Sequence, residues 1–318
     1  MIDVAAATLR IALAINTLWI LLGLIVDTTD VSRWFWAPQN GSIRDPVAVR
    51  ALSGGRLVGI FNQPAEAGLA YSIGLLVGTY EIMNGLSRGK RGRVLTFALV
   101  VLGGILSTSK IFILGGLPLA VLWRDSDTGV GRRYKRIKVA VIALSVIMVA
   151  ALFAGGFGQG ISDMMTRLTP TPQKSFFQKA TAGRMGEYDG VTVRFRRIWQ
   201  QAWLTGLGFG MVDVLDSAYL QMFSYSGILG LIAYMLVMLG LMLRSTLVSQ
   251  CSSGNLGSLF RRLVVLTILS GMGIPALTSN RSGCILTLML CILSTGYCHP
   301  LKTDGTLGTC KCFPDDSD

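Results

Sequence analysis

Apolar residues run along this chain in long blocks divided by short polar segments, and no period-two alternation recurs. The first block covers residues 4–26 and carries Arg10 close to its start, where a long side chain can snorkel to an interface. Residues 27–56 are mixed, and Trp34, Phe35 and Trp36 among them read as belt aromatics at a membrane surface. The second block, 57–83, is interrupted early by F-N-Q-P-A-E-A-G (61–68). Asn62 and Glu66 are costly against lipid because buried polar groups need partners. Pro64 lacks a backbone donor and either kinks a helix here or marks its start. The plainer alternative makes 61–68 a loop before a helix that begins at Gly68.

The third block, 94–123, is apolar except for S-T-S-K at its middle (107–110), and strongly basic segments flank it on both sides. Such flanks belong on the cytoplasmic side. The block is therefore expected to go out and come back as two short helices meeting at the S-T-S-K tip. A single long tilted helix would break the charge rule. Residues 137–157 cross outward, 158–216 form the one long polar external loop, and 218–243 return, ending at Arg244. Arg261 and Arg262 close the next cytoplasmic loop. Residues 263–297 repeat the hairpin pattern around T-S-N-R-S-G (278–283).

Composition strengthens this pattern. Hydrophobic residues make up 51% of the chain, charged residues 14%, and mean hydropathy is +0.56. An ordinary soluble domain is about 25% charged. A hydrocarbon core needs roughly 20 apolar residues per helix, and only helices or closed barrels satisfy the backbone there. The expectation is an all-α, polytopic transmembrane bundle of about 8 crossings, counted against that length, with both termini cytoplasmic. The transmembrane domain spans 1–298 and a short cytoplasmic tail 299–318. The first block is too long for a typical signal-peptide core and has no clear cleavage site.

The net charge of +12 reflects anchoring loops, not nucleic acid, since no basic stretch matches a binding motif. Cys284, Cys291 and Cys298 recur every seventh position on one face of the last helix and read as packing residues. Cys298-His299 with Cys310-x-Cys312 does not have zinc-site spacing and is not read as a metal site.

This topology collects Arg56, Asn62, Glu66, Lys110, Arg194, Arg196, Arg197, Asp213, Asp216 and Arg281 on the outer face. Lys110 and Arg281 are each the sole charge of an apolar hairpin. Arginine forks suit phosphate oxygens, fixed cations stabilise a leaving pyrophosphate, and a carboxylate can take a proton from an acceptor hydroxyl. The plainer reading is that Lys110 and Arg281 only keep hairpin tips from sinking, while Arg196 and Asp213 are simply solvated. Gly206-Leu-Gly208-Phe-Gly210 is not a dinucleotide fingerprint, since Met211 stands where the third glycine belongs.

Four segments together resemble the O-antigen and exopolysaccharide polymerases of the Wzy type and the related O-antigen ligases. R-L-V-G-I-F-N-Q-P-A-E-A-G (56–68) is similar to the family's "R…G.F.NP" segment. L-S-T-S-K-I-F-I-L (106–114) is similar to its "S-x-S-R" hairpin, with lysine for arginine. R-F-R-R-I-W-Q-Q-A-W…G-L-G-F-G (194–210) is similar to its "R…W…G.G.G" loop, and D-S-A-Y-L-Q-M-F-S-Y-S-G-I-L-G-L (216–231) to its "YL…G..GL" helix entry. The resemblance implies a GT-C-like glycosyltransferase of the bacterial inner membrane. It would act at the outer face on undecaprenyl-pyrophosphate-linked glycans, beside the pathway's flippase and chain-length regulator, and would need no nucleotide sugar, no cofactor and no essential metal. It assigns Asp216, Glu66, Arg194 and Arg197 to catalysis, and Arg56, Asn62, Lys110, Arg281 and Trp199 to substrate. The ligases carry a histidine where this chain has Asp216, which favours polymerase over ligase. A lipid-linked glycan transporter or a non-catalytic assembly subunit is the reading from a different class.

Overall fold

A computed structural model describes residues 2–36, 47–53, 55–84, 90–123, 139, 143, 190–209, 217–251 and 255–295. Every regular element among them is a helix. In chain order these are α1 (Ile2–Leu22), α2 (Thr29–Arg33), α3 (Val47–Ser53), α4 (Pro64–Met83), α5 (Lys90–Leu106), a π-helix (Ile111–Gly116), α6 (Leu117–Val121), α7 (Gly190–Ala202), α8 (Ala218–Cys251), α9 (Leu256–Ser270) and α10 (Asn280–Thr295). Two of them, Ile2–Leu22 and Ala218–Ser249, are long and apolar enough to cross a membrane. Shorter apolar helices fill Gly92–Leu106, Ile111–Val121 and Arg281–Thr295. The outward crossing expected over 137–157, most of the external loop, and the tail from 298 lie outside the described residues.

Helix α4 is the centre. Gln63 is extended and Pro64 takes the first helical position, where its fixed φ is already helical and its missing N–H costs nothing. Pro64 therefore starts the helix and does not kink it. A helix that is apolar around its whole circumference must be surrounded, and α4 is buried on every side from Ala67 to Glu81. Helices α1, α5, α9, α10 and the π-helix pack around it. Gly74 and Gly78 let them come close: a β-carbon would meet Leu13 of α1 at the first and Phe97 of α5 at the second.

The arms alternate in direction between two ends. At one end the α4 start meets the 107–110 tip and the α9–α10 turn: Leu57 N–H donates to Leu106 O (3.3 Å) and Arg281 N–H to Glu66 Oε1 (2.9 Å). At the other end Asn255 Nδ2 donates to Asn84 Oδ1 (3.1 Å) and Arg244 Nη2 to Ser294 O (3.2 Å). The expected hairpin over 94–123 is present in form: α5 stops at Leu106 and the second arm starts at Ile111. The break centres on Thr108, whose φ of 43° is uncommon for a side-chain-bearing residue.

Four readings from sequence are corrected. Arg10 does not snorkel: it is 6% exposed and pairs with Glu81 of α4 inside the bundle. A charge that cannot reach water needs a partner, and Glu81 supplies one. Trp36 is not a belt residue, because its ring is buried and Nε1 donates to Gly59 O (3.0 Å). Trp34, by contrast, is 91% exposed. Arg261 and Arg262 lie within α9, where Arg262 Nη1 donates to Leu119 O (2.6 Å) and its guanidinium covers the Trp123 ring at 4.7 Å. Cys284 and Cys291 face outward instead of packing in the core.

The return expected over 218–243 also differs. Gly227 breaks α8 into two legs, with φ 62° and ψ −155°, a region that only glycine visits freely. The legs fold together: Tyr219 and Tyr234 meet edge to face at 5.7 Å, and Ala218 shares a cluster with Tyr234 and Met238. The first leg is fastened to the end of α9, where Ala218 N–H donates to Gly271 O (2.8 Å) and the Tyr219 hydroxyl to Ile268 O (2.6 Å). The second leg continues past Arg244 to Cys251 and reaches the start of α9, where a β-carbon on Gly257 would touch Ser249.

Candidate functional site

The described site begins with the loop that enters α4. Glu66 lies in the first turn, and both of its carboxylate oxygens accept backbone N–H groups: Oε2 from Asn62 (3.0 Å) and Oε1 from Arg281 (2.9 Å). The first turns of helices leave N–H groups without internal partners. Glu66 thus caps the entry of its own helix and the first turn of α10 at once. At 2% exposed, it is held inside the bundle. Neither role needs catalysis, and both fix where Arg281 stands.

Arg281 is half-buried, and its Nη2 donates to the carbonyl of Phe35. Its Nη1 is buried with no hydrogen-bond partner among the described residues. Arg56 approaches from the other side, its Nε donating to Thr108 Oγ1 (3.3 Å) and its Nη2 to Thr108 O (3.4 Å). The S-T-S-K tip is pressed onto α4 beside this contact. A β-carbon on Gly68 would sit 2.0 Å from Ser109 Oγ, and that hydroxyl has no hydrogen-bond partner among the described residues. Lys110 follows, half-buried, at the position that precedes the π-helix. Such helices occur frequently at functional sites.

Arg56, Asn62, Glu66, Lys110 and Arg281 are therefore brought to one polar seam at one end of the bundle. Sequence reading missed Thr108 and Ser109 as its structural members. The signal was there, since small hydroxyl residues between two apolar arms make tight turns. It also missed the buried network below the seam. Tyr71 hydroxyl accepts from Asn16 Nδ2 (2.8 Å) and shares a hydrogen bond with Thr17 Oγ1 (2.9 Å), while Asn16 Oδ1 accepts from Ile60 N–H (2.9 Å). This ties α1 to the loop that carries Arg56 and Asn62.

The other candidates sit on a different element. Arg194, Arg196, Arg197 and Trp199 belong to α7, which packs on α8. Arg196 and Arg197 are exposed, and Arg197 Nε donates to Gln201 Oε1 (3.3 Å). Asp213 and Asp216 lie outside the described residues.

The glycine turn after α7 is a docking device. Gly206 and Gly208 have φ of 72° and 87°. The turn pairs with the break in α8: Leu207 N–H donates to Ser224 O (2.8 Å), Gly208 N–H to Tyr225 O (3.2 Å), and Ile228 N–H to Trp203 O (2.9 Å). The backbone groups that Gly227 frees from the helix are satisfied by this turn.

Among the described residues, no three His, Cys, Asp or Glu side chains gather to hold a metal ion. Comparison with protein-family models, curated proteins and solved structures finds no match.

Proposed function

We propose that the chain is a membrane glycosyltransferase of the polysaccharide-polymerase type. It joins undecaprenyl-pyrophosphate-linked repeat units at the outer face of the bacterial inner membrane, in a GT-C-like bundle of eight crossings whose termini are cytoplasmic. The observation that carries the reading is the seam. Arg56, Lys110 and Arg281 are gathered at one end of the bundle, and buried Glu66 holds the loop at Asn62 with one oxygen and the first turn around Arg281 with the other. Two of the four motif resemblances, 56–68 and 106–114, fall on the elements that build this end, and the other two fall on α7 and α8. A lipid environment is supported by α8, whose second leg exposes Leu229, Ile232, Met235, Leu236, Leu239, Leu243 and Leu247. A contiguous apolar surface of this kind needs a non-aqueous neighbour.

In this mechanism an acceptor hydroxyl attacks the anomeric carbon of the donor glycan. The bond from that carbon to the pyrophosphate oxygen breaks, and the electron pair leaves with the pyrophosphate. Arg56, Lys110 and Arg281 stabilise the charge that develops there, which lowers the barrier because it grows in the transition state. Asp216 accepts the proton of the attacking hydroxyl. Glu66 positions Arg281 and Asn62. Arg194, Arg197 and Trp199, on α7, guide the lipid-linked glycan along the membrane surface as it approaches.

The test is the surface-polysaccharide ladder of the producing strain with the chromosomal copy replaced by variants. Arg281→Ala or Lys110→Ala is expected to collapse the long ladder to single repeat units while protein levels stay normal. Ladders of wild-type length in both would remove the seam as the site. Full-length polymer left on the lipid carrier would instead identify a ligase, and repeat units trapped on the cytoplasmic side a transporter.

A further inference from the structure

Among the described residues, the aromatic face of α7 is only partly covered. Phe195, Ile198, Trp199 and Ala202 share one side of the helix, with Arg196, Arg197, Gln200 and Gln201 around the remainder. Ile198 is buried, but Trp199 and Trp203 are 51% and 48% exposed, and Phe195, Leu204 and Phe209 are exposed too. The rings are not scattered. Phe195 stacks on Phe223 of α8 at 5.0 Å, and Trp199 lies 5.9 Å from Phe195 and 6.2 Å from Trp203. They form one platform that extends beyond the helix they are stacked on.

The height of this platform follows from the fold. Ile228 N–H donates to Trp203 O, so the Trp203 end of the platform is level with the first residue of the second leg of α8, while Phe195 and Trp199 stack on Phe223 of the first leg. Just below it the exposed apolar surface begins at Leu229 and continues to Leu247. At 1.5 Å per residue that surface is about 27 Å tall, close to a hydrocarbon core of roughly 30 Å. In a bilayer matched to that surface the platform would lie where acyl chains give way to headgroups, the level that Trp prefers.

We propose that α7 lies in the plane of the membrane, its Trp199–Trp203 face inserted among phospholipid chains and Arg196 and Arg197 against lipid phosphates. Amphipathic helices with aromatics on one face and arginines on the other bury about 5–10 Å of depth in this way. The inference rests on α8 being embedded in lipid, as the proposed function requires. Two observations choose a lipid surface over a soluble partner: the platform is continuous with the exposed apolar face of α8, and the exposed cations of the same helix complement phosphate. The same cations could meet phospholipid phosphate or a polyprenyl pyrophosphate, so the test is done in membranes that contain no polyprenyl lipid.

The full chain is reconstituted in phosphatidylcholine–phosphatidylglycerol nanodiscs carrying lipid brominated either near the headgroup end or near the terminus of the acyl chain. The Trp199→Phe/Trp203→Phe double variant isolates the emission of those two residues by difference. Shallow bromine is expected to quench that difference emission about twofold, given the interfacial depth of such helices, and deep bromine much less. Aqueous iodide is expected to quench it weakly. Strong iodide quenching with no bromine effect would overturn the inference, and so would bromine quenching that appears only after polyprenyl pyrophosphate is added. A Leu236→Trp variant separates this failure from failure of the membrane reading. Deep bromine should quench the added tryptophan if α8 is embedded, whatever α7 does; if it does not, the membrane reading itself fails.

Discussion

Glu66 shows how one side chain organises an end of the fold. Its two oxygens answer N–H groups from two different helices, and an amide could accept only one of them. Glu66→Gln is expected to leave one first-turn donor unanswered at a cost of about 1–3 kcal/mol. Hydrogen exchange should then speed up at the Arg281 amide or the Asn62 amide while the middle of α4 is unchanged. Unaltered exchange at both would mean that the carboxylate does not cap them. Arg10 and Glu81 are the second residue-scale case. Removing one partner of a buried pair leaves an uncompensated charge, so Arg10→Ala is expected to destabilise by about 3–5 kcal/mol. Arg10→Met combined with Glu81→Leu should recover most of that loss, because no charge then remains buried. Thermal unfolding in detergent of Arg10→Met, Glu81→Leu and the double variant measures the coupling. Equal losses in all three would show that the ion pair is not the source.

At the scale of elements, α8 depends on a conformation instead of a contact. A β-carbon at Gly227 would lie 2.3 Å from the Leu204 carbonyl, in a backbone region closed to other residues. Gly227→Ala should therefore cost at least about 1–3 kcal/mol of backbone strain and undock the turn after α7. The observable is cleavage by added protease within residues 203–209, rapid in the variant and slow in the native chain. Slow cleavage in both would mean that the turn holds without the break. This element also marks where sequence reading reached its limit. Hydrophobic length identified the long apolar helix and the two polar-tipped hairpins, because length and polarity are local properties. The folded-back first leg was hidden, since residues 218–226 are apolar enough to continue a helix and only the φ of Gly227 stops them. The role of Gly206 was hidden for the same reason: its partner lies across the chain at residues 224–228. Arg10 was misread because a charge near the start of an apolar block can snorkel or pair, and the choice depends on Glu81, far away in sequence. The seam was partly legible. Arg56, Asn62, Glu66, Lys110 and Arg281 were grouped by topology alone, and the hydrogen bonds that hold them were not visible.

For the whole molecule, the decisive property is polarity between its two ends. The seam gathers Arg56, Glu66, Lys110 and Arg281 at one end, while Asn84, Asn255, Arg244 and Arg262 join the arms at the other. A glycosyltransferase fed by lipid-linked units from outside needs the seam end outward, whereas an enzyme using cytoplasmic donors needs the reverse. Basic residues near short loops favour the first orientation. Two exposed positions test it, because Trp34 lies at the seam end beside the Phe35 carbonyl that Arg281 bonds, and Asn84 lies at the opposite end. In a background with the native cysteines replaced by serine, Trp34→Cys should react with a membrane-impermeant maleimide on intact spheroplasts. Asn84→Cys should react only after the membrane is permeabilised. The reverse pattern would turn the seam toward the cytoplasm and exclude polymerisation of exported units. Labelling of both without permeabilisation would mean that the two ends are not separated by a membrane at all, and the site would then have to be sought among aqueous substrates.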